Sequence, residues 1–195
     1  KYNRYHDELV PYSNPTNDWH HEALTDPFNE ATTLFKVLLN EGENLIQIRV
    51  HDEIKIGKLY VKSPTKQINY DEYINLYQNV AKPQALITIQ GESINNKNDV
   101  EIKPGYYKSY KMMPASYKNQ ILNMLDGASM SRSGTSVTYQ FEVKETGLYN
   151  LAIKYKQSSL AGLAVGKNIY IDGEIPFAEM QDYLFPYQKK WANYV

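Results

Sequence analysis

Val137-Thr138-Tyr139-Gln140-Phe141-Glu142-Val143, the turn Glu145-Thr146-Gly147, and Tyr149-Asn150-Leu151-Ala152-Ile153-Lys154-Tyr155 are the residues on which the fold class rests. Val137, Tyr139, Phe141 and Val143 alternate strictly with polar neighbours. Tyr149, Leu151, Ile153 and Tyr155 repeat the alternation on the return. A period of two puts one set of side chains on one face of a strand, so each segment reads as a strand with one buried and one wet face. Asp172-Gly173, after Asn168–Ile171, is a strong tight-turn pair.

Working outward, more strands are expected at short spacing. Thr33–Leu39, Leu45–Val50 and Ile54–Val61 read as a three-stranded meander, with Asn40-Glu41-Gly42-Glu43 as its first turn. Ala85–Ile89 opens a second β region. Residues 93–118 read as a long polar, Tyr-rich loop, and Gln120–Leu125 as a helical turn. Between the two β regions the pattern changes. Ser63-Pro64 breaks the sheet, and Asn69 is placed to cap a helix whose apolar positions are Tyr70, Tyr73, Ile74 and Tyr77. The expected organisation is 1–62, the end of one sandwich module; 63–84, a short helical linker; and 85–195, the start of a second module.

A gapless similarity supports that division. Tyr5-His6-Asp7-Glu8-Leu9-Val10-Pro11-Tyr12 aligns with Tyr170-Ile171-Asp172-Gly173-Glu174-Ile175-Pro176-Phe177. If it is a repeat, the chain holds two partial modules. The compact alternative is one permuted sandwich, with 1–62 packed on 85–195. An open half-sheet leaves edges and apolar surface bare, which is costly. The start at Lys1 and the aromatic-rich stretch Tyr183–Val195 lead to the expectation of a piece of something longer.

Composition narrows the function. Net charge is −1, so a broad basic footprint for nucleic acid is not expected. With no Cys, neither disulfides nor thiolate metal sites can form. No apolar run reaches the roughly 18 residues of a membrane span. Tyr is abundant, 18 against 5 Phe and 2 Trp. Tyr packs its ring while its hydroxyl stays wet, which suits half-buried sheet faces and sugar-stacking surfaces alike.

Several positions are candidates for ligand contact. Tyr183, Phe185, Tyr187 and Trp191 read as an aromatic cluster that either stacks on a sugar or packs between modules. Trp19 anchors a polar loop with His20 and His21, whose side chains diverge in an extended segment and so make a poor metal pair. Arg132, between two Ser and before Gly134, either forks onto a carboxylate or sugar hydroxyls or braces its own loop. Lys154, Lys156 and Gln157 are expected on the wet side of their strand, within reach of a glycan. No nucleophile elbow and no phosphate-cradling glycine motif is present, so the chain is expected not to be an enzyme.

The runs Met124–Gly134, Val137–Val143, Gly147–Gln157 and Ile169–Phe177 together resemble a galactose-binding-like jelly-roll β-sandwich, an all-β fold. The Gly147-x-Tyr149-x-Leu151-x-Ile153-x-Tyr155 strand and the later strand ending in Asp172-Gly173 carry the likeness. It is nearest to accessory modules of extracellular solute-binding proteins of bacterial sugar ABC transporters, and more distantly similar to family 6 and family 35 carbohydrate-binding modules. The resemblance implies a non-catalytic, carbohydrate-binding-like segment on the surface of a Gram-positive cell. Its partner would be an oligosaccharide, and its lipid-anchored parent would serve a membrane permease. A spacer module or an appendage of a secreted glycoside hydrolase are the alternatives. Related modules often hold a structural calcium with two Glu on the first strand. Here Gln90-Gly91-Glu92 leaves only Glu92, and calcium favours several charged oxygen ligands.

Overall fold

A computed structural model describes residues 1–14, 24, 35–49, 51, 54–64 and 66–193. These residues are mostly non-helical, with small antiparallel sheets and one short α-helix. The strands are β1 (Asn96–Lys97), β2 (Pro104–Gly105), β3 (Met124–Leu125), β4 (Val137–Thr138), β5 (Lys154–Gln157), β6 (Val165–Lys167), β7 (Tyr183–Phe185) and β8 (Gln188–Asn193). They pair as β1 with β4, β2 with β3, β5 with β8 and β6 with β7, all antiparallel.

The helix α1, Tyr70–Leu76, forms where the sequence pattern places it. The Asn69 side chain accepts from the Glu72 amide at 2.8 Å, and the Glu72 carboxylate accepts from the Asn69 amide at 3.0 Å. This reciprocal capping box satisfies two amides that an open helix end would leave bare. Asp172-Gly173 also forms the expected turn. Both residues have positive φ, 51° and 84°, and Ile171 and Glu174 exchange both backbone hydrogen bonds across them. That is the geometry of a two-residue hairpin loop, which glycine makes accessible.

The longer strands are cut short. Only Val137–Thr138 of the 137–143 segment joins a ladder. Asparagine side chains take over backbone bonding around it: Asn95 accepts from the Gln140 amide, and Asn98 accepts from the Ser136 amide and donates to the Gly134 carbonyl. Such local side-chain bonds compete with a regular ladder. Phe141 and Val143, expected on the buried face, are exposed. The meander differs likewise: among the described residues of 35–61 no ladder forms. The turn itself is present, with Gly42 at φ 104° and the Asn44 side chain bonded to the Asn40 amide and to the Asn40 and Gly42 carbonyls. No ladder includes Ala85–Ile89.

Gln120–Leu125 is extended, not a helical turn. Two N-terminal carboxylates recruit its amides: Asp7 accepts from Gln120 and Glu8 from Leu122, while the Glu8 amide donates to the Gln120 carbonyl. The amide bond at Asp7, helped by the Asn3 side chain, lowers its carboxyl pKa. The Tyr5 and Tyr170 segments do not share a conformation. The first turns around Asn3, whose side chain accepts from the Tyr5 and Asp7 amides, with His6 at φ 64°; the second is the Asp172-Gly173 hairpin.

The buried centre is small. Among the described residues, Ile102, Met112 and Leu122 are the buried apolar side chains, and Asn123 and Gln157 are the buried polar ones. Asn123 uses its whole amide, accepting from the Tyr107 amide and donating to the Tyr107 and Pro114 carbonyls. The chain exposes 17000 Å². A compact monomer of 22.6 kDa exposes about 9,500 Å². The excess includes strips of large apolar side chains such as Phe35, Val37, Leu38, Leu45, Ile54 and Leu86. No helix among the described residues is long and apolar enough to cross a membrane.

Candidate functional site

Helix α1 is bound to the C-terminal third of the chain. The Ala178 amide donates to the Ile68 carbonyl, the Tyr70 amide to Glu179 Oε2, and the Gln67 side chain to the Ile175 carbonyl. Phe177 meets Tyr70 edge-on at 5.0 Å and Tyr73 at 5.1 Å. Burial raises the pKa of the Tyr73 hydroxyl, and Tyr77 adds to the effect.

Opposite α1, β5 and β7 bring further rings together. Phe185 meets Tyr155 at 5.0 Å and Tyr183 at 5.2 Å, both edge-on. The Tyr155 hydroxyl donates to the Pro186 carbonyl at 3.3 Å. Between these groups lies an open cavity of about 400 Å³. Its walls include Tyr70, Phe177, Tyr155, Tyr183 and Phe185, with Leu151 and Ile153 from the alternating segment. Among the described residues, the only ionisable side chains on its walls besides tyrosines are Asp71 and Glu179. The size falls within the range of small-ligand sites, and an apolar wall with few polar groups is their usual make-up.

The expected aromatic cluster divides in two. Tyr183 lines the cavity with Phe185, because β7 pairs with β6. Trp191 does not join them, because β8 pairs with β5 and carries it to Tyr107, edge-on at 5.6 Å. Its indole N–H is buried with no hydrogen-bond acceptor among the described residues. Lys156 also reaches Tyr107, its ammonium 4.5 Å from the ring centre and 3.1 Å from the hydroxyl. Tyr187, between β7 and β8, has the Lys189 ammonium 6.0 Å from its ring centre and is not part of the cavity wall.

Gln157 is buried, not on a wet face. The β5–β8 register shifts between Tyr155 and Gln157, and Gln157 donates to the Leu163 carbonyl at 3.0 Å. Lys154 donates to the Lys111 carbonyl. Arg132 forks onto Glu101 at 2.8 Å and Asp99 at 3.4 Å while its carbonyl accepts from Thr135. Its guanidinium thus ties two loops of the chain together. Trp19, His20 and His21 lie outside the described residues.

Glu92 sits beside Glu8 and Tyr139. Burial raises its carboxyl pKa above the usual range, more than its own backbone amide lowers it, and the Glu8 charge adds to the rise. Tyr139 donates to the Gly91 carbonyl at 2.8 Å. Burial raises the Tyr139 pKa, and the Glu92 charge adds to this. Among the described residues no three acidic or imidazole side chains converge as a metal site. With one oxygen of Glu92 buried and unpartnered, this arrangement lacks the set of charged ligands that calcium favours.

The residues missed in sequence are Tyr70, Asp71, Phe177 and Glu179. The helix cap announced α1, but nothing local announced that 175–179 would pack against it. No family model, no curated protein and no solved structure matches the chain.

Proposed function

We propose that this chain is a non-catalytic saccharide-binding segment, an accessory β-sandwich part of a cell-surface protein serving sugar uptake. The cavity between α1 and strands β5 and β7 carries the reading. Aromatic rings on facing walls offer apolar faces on which a pyranose stacks, and Asp71 and Glu179 accept from its hydroxyls. Titration calorimetry with a panel of neutral, amino and acidic oligosaccharides tests it. The expected result is saturable binding that Tyr183→Ala weakens, with every saccharide recovered unchanged. Absence of heat across the panel overturns the binding reading, and cleavage products overturn the non-catalytic one.

A second reading, a spacer that binds no small molecule, is favoured by the apolar strips of residues 35–61. Strips of this extent suit packing against neighbouring strands of a larger protein. Under this reading the same titration is silent for the wild type and for Tyr183→Ala alike.

A further inference from the structure

We infer that the cavity selects amino sugars with a free, protonated amine over neutral and acidic sugars; this rests on the saccharide-binding reading above. The charges on its walls have one sign. Asp71 and Glu179 are the acids, and among the described residues no Lys, Arg or His contributes to the wall. Glu179 is held in place, because its Oε2 accepts from the Tyr70 amide at 2.9 Å. Its Oε1 accepts no hydrogen bond from the described residues, and Asp71 makes no hydrogen bond or ion pair with them. Both therefore have acceptor capacity for a ligand.

The rings point to the same chemistry. An ammonium group is attracted to the negative face of an aromatic ring, and the Tyr70 and Tyr183 rings line the same wall as the carboxylates. A carboxylate bonds an ammonium more strongly than it bonds a neutral hydroxyl. An acetylated amine loses the charge and keeps the sugar ring, so acetylation separates the two contributions. A uronic acid would set like charges against Asp71 and Glu179.

The test is calorimetric titration of the full chain with chitotriose bearing free amines, with its fully N-acetylated counterpart, and with a trigalacturonate. The free amine is expected to bind about tenfold more tightly than the acetylated form, the usual scale of a charged over a neutral hydrogen bond. The acid is expected not to bind. In the Asp71→Asn, Glu179→Gln double variant the ratio of free-amine to acetylated affinity should shrink toward unity. The amide introduced by Glu179→Gln retains an oxygen to accept from the Tyr70 backbone N–H, so the fold is preserved. Equal binding of the amine and acetylated forms, or tighter binding of the acid, overturns the inference and leaves saccharide binding standing. Binding of none of the three, alongside silence across the wider panel, overturns both.

Discussion

Gly147→Ala is the sharpest structural test, because the neighbours of the missing side chain are defined. A Cβ at residue 147 would overlap Pro83 Cδ and fall 2.7 Å from Pro83 Cγ and 2.8 Å from the Ala81 carbonyl oxygen. Non-bonded carbons rest near roughly 3.5–4.0 Å, so the 81–83 segment has to retreat by about 1 Å. That retreat pulls on the hydrogen bond from the Leu148 amide to the Ala81 carbonyl, now 2.9 Å. Overpacking of this kind costs about 1–3 kcal/mol and a lost backbone hydrogen bond about 1 kcal/mol, together about 2–4 kcal/mol. Urea unfolding followed by fluorescence reads the change. Gly127→Ala is the control, since a Cβ there meets nothing within 4 Å, and its expected effect is under about 0.5 kcal/mol. If Gly147→Ala unfolds within about 0.5 kcal/mol of the wild type, the close approach of 81–83 to the 145–148 turn is refuted.

Asn69→Ala removes the side chain that caps α1 and is expected to cost about 1 kcal/mol in the same unfolding assay, with faster amide exchange at Glu72. Glu92→Gln tests the buried carboxyl. A raised folded pKa means the native state holds the proton more tightly, so stability is fullest below the unfolded value of about 4.3 and falls as pH rises through the folded value. The variant escapes that fall, so its Tm advantage over wild type should grow from acid to neutral pH; a difference independent of pH contradicts the assignment. Arg132→Gln breaks two exposed ion pairs and should cost under about 1 kcal/mol while leaving saccharide affinity unchanged. A large loss of affinity would instead make Arg132 a ligand residue.

What could be read in advance follows a physical divide between local and long-range bonding. The cap at Asn69 and the Asp172-Gly173 turn depend on residues close in sequence, and both form as the pattern indicates. Leu151, Ile153 and Tyr155 share the cavity wall, but Leu151 and Ile153 are exposed and only Tyr155 lies in a strand, so the expected buried face of that segment does not form. Strand partners depend on distant residues. Nothing near Trp191 shows that β8 pairs with β5 and turns its indole toward Tyr107. Nothing near Gln157 shows the register shift beside it. The likeness of the Tyr5 and Tyr170 segments is a likeness of sequence whose two turns differ, because Asn3 reorganises one of them through its side chain. The Gln120–Leu125 segment yields to Asp7 and Glu8, which lie at the far end of the sequence.

The central claim is that a saccharide occupies the cavity between α1 and the β5 and β7 strands. Backbone amide NMR of the full chain during titration with free-amine chitotriose tests it most directly. The account predicts shifts concentrated at Tyr70, Asp71, Tyr155, Glu179 and Tyr183–Phe185, absent in Tyr183→Ala. Shifts confined to the Tyr107 and Trp191 region, or no shifts at saturating saccharide, would contradict it.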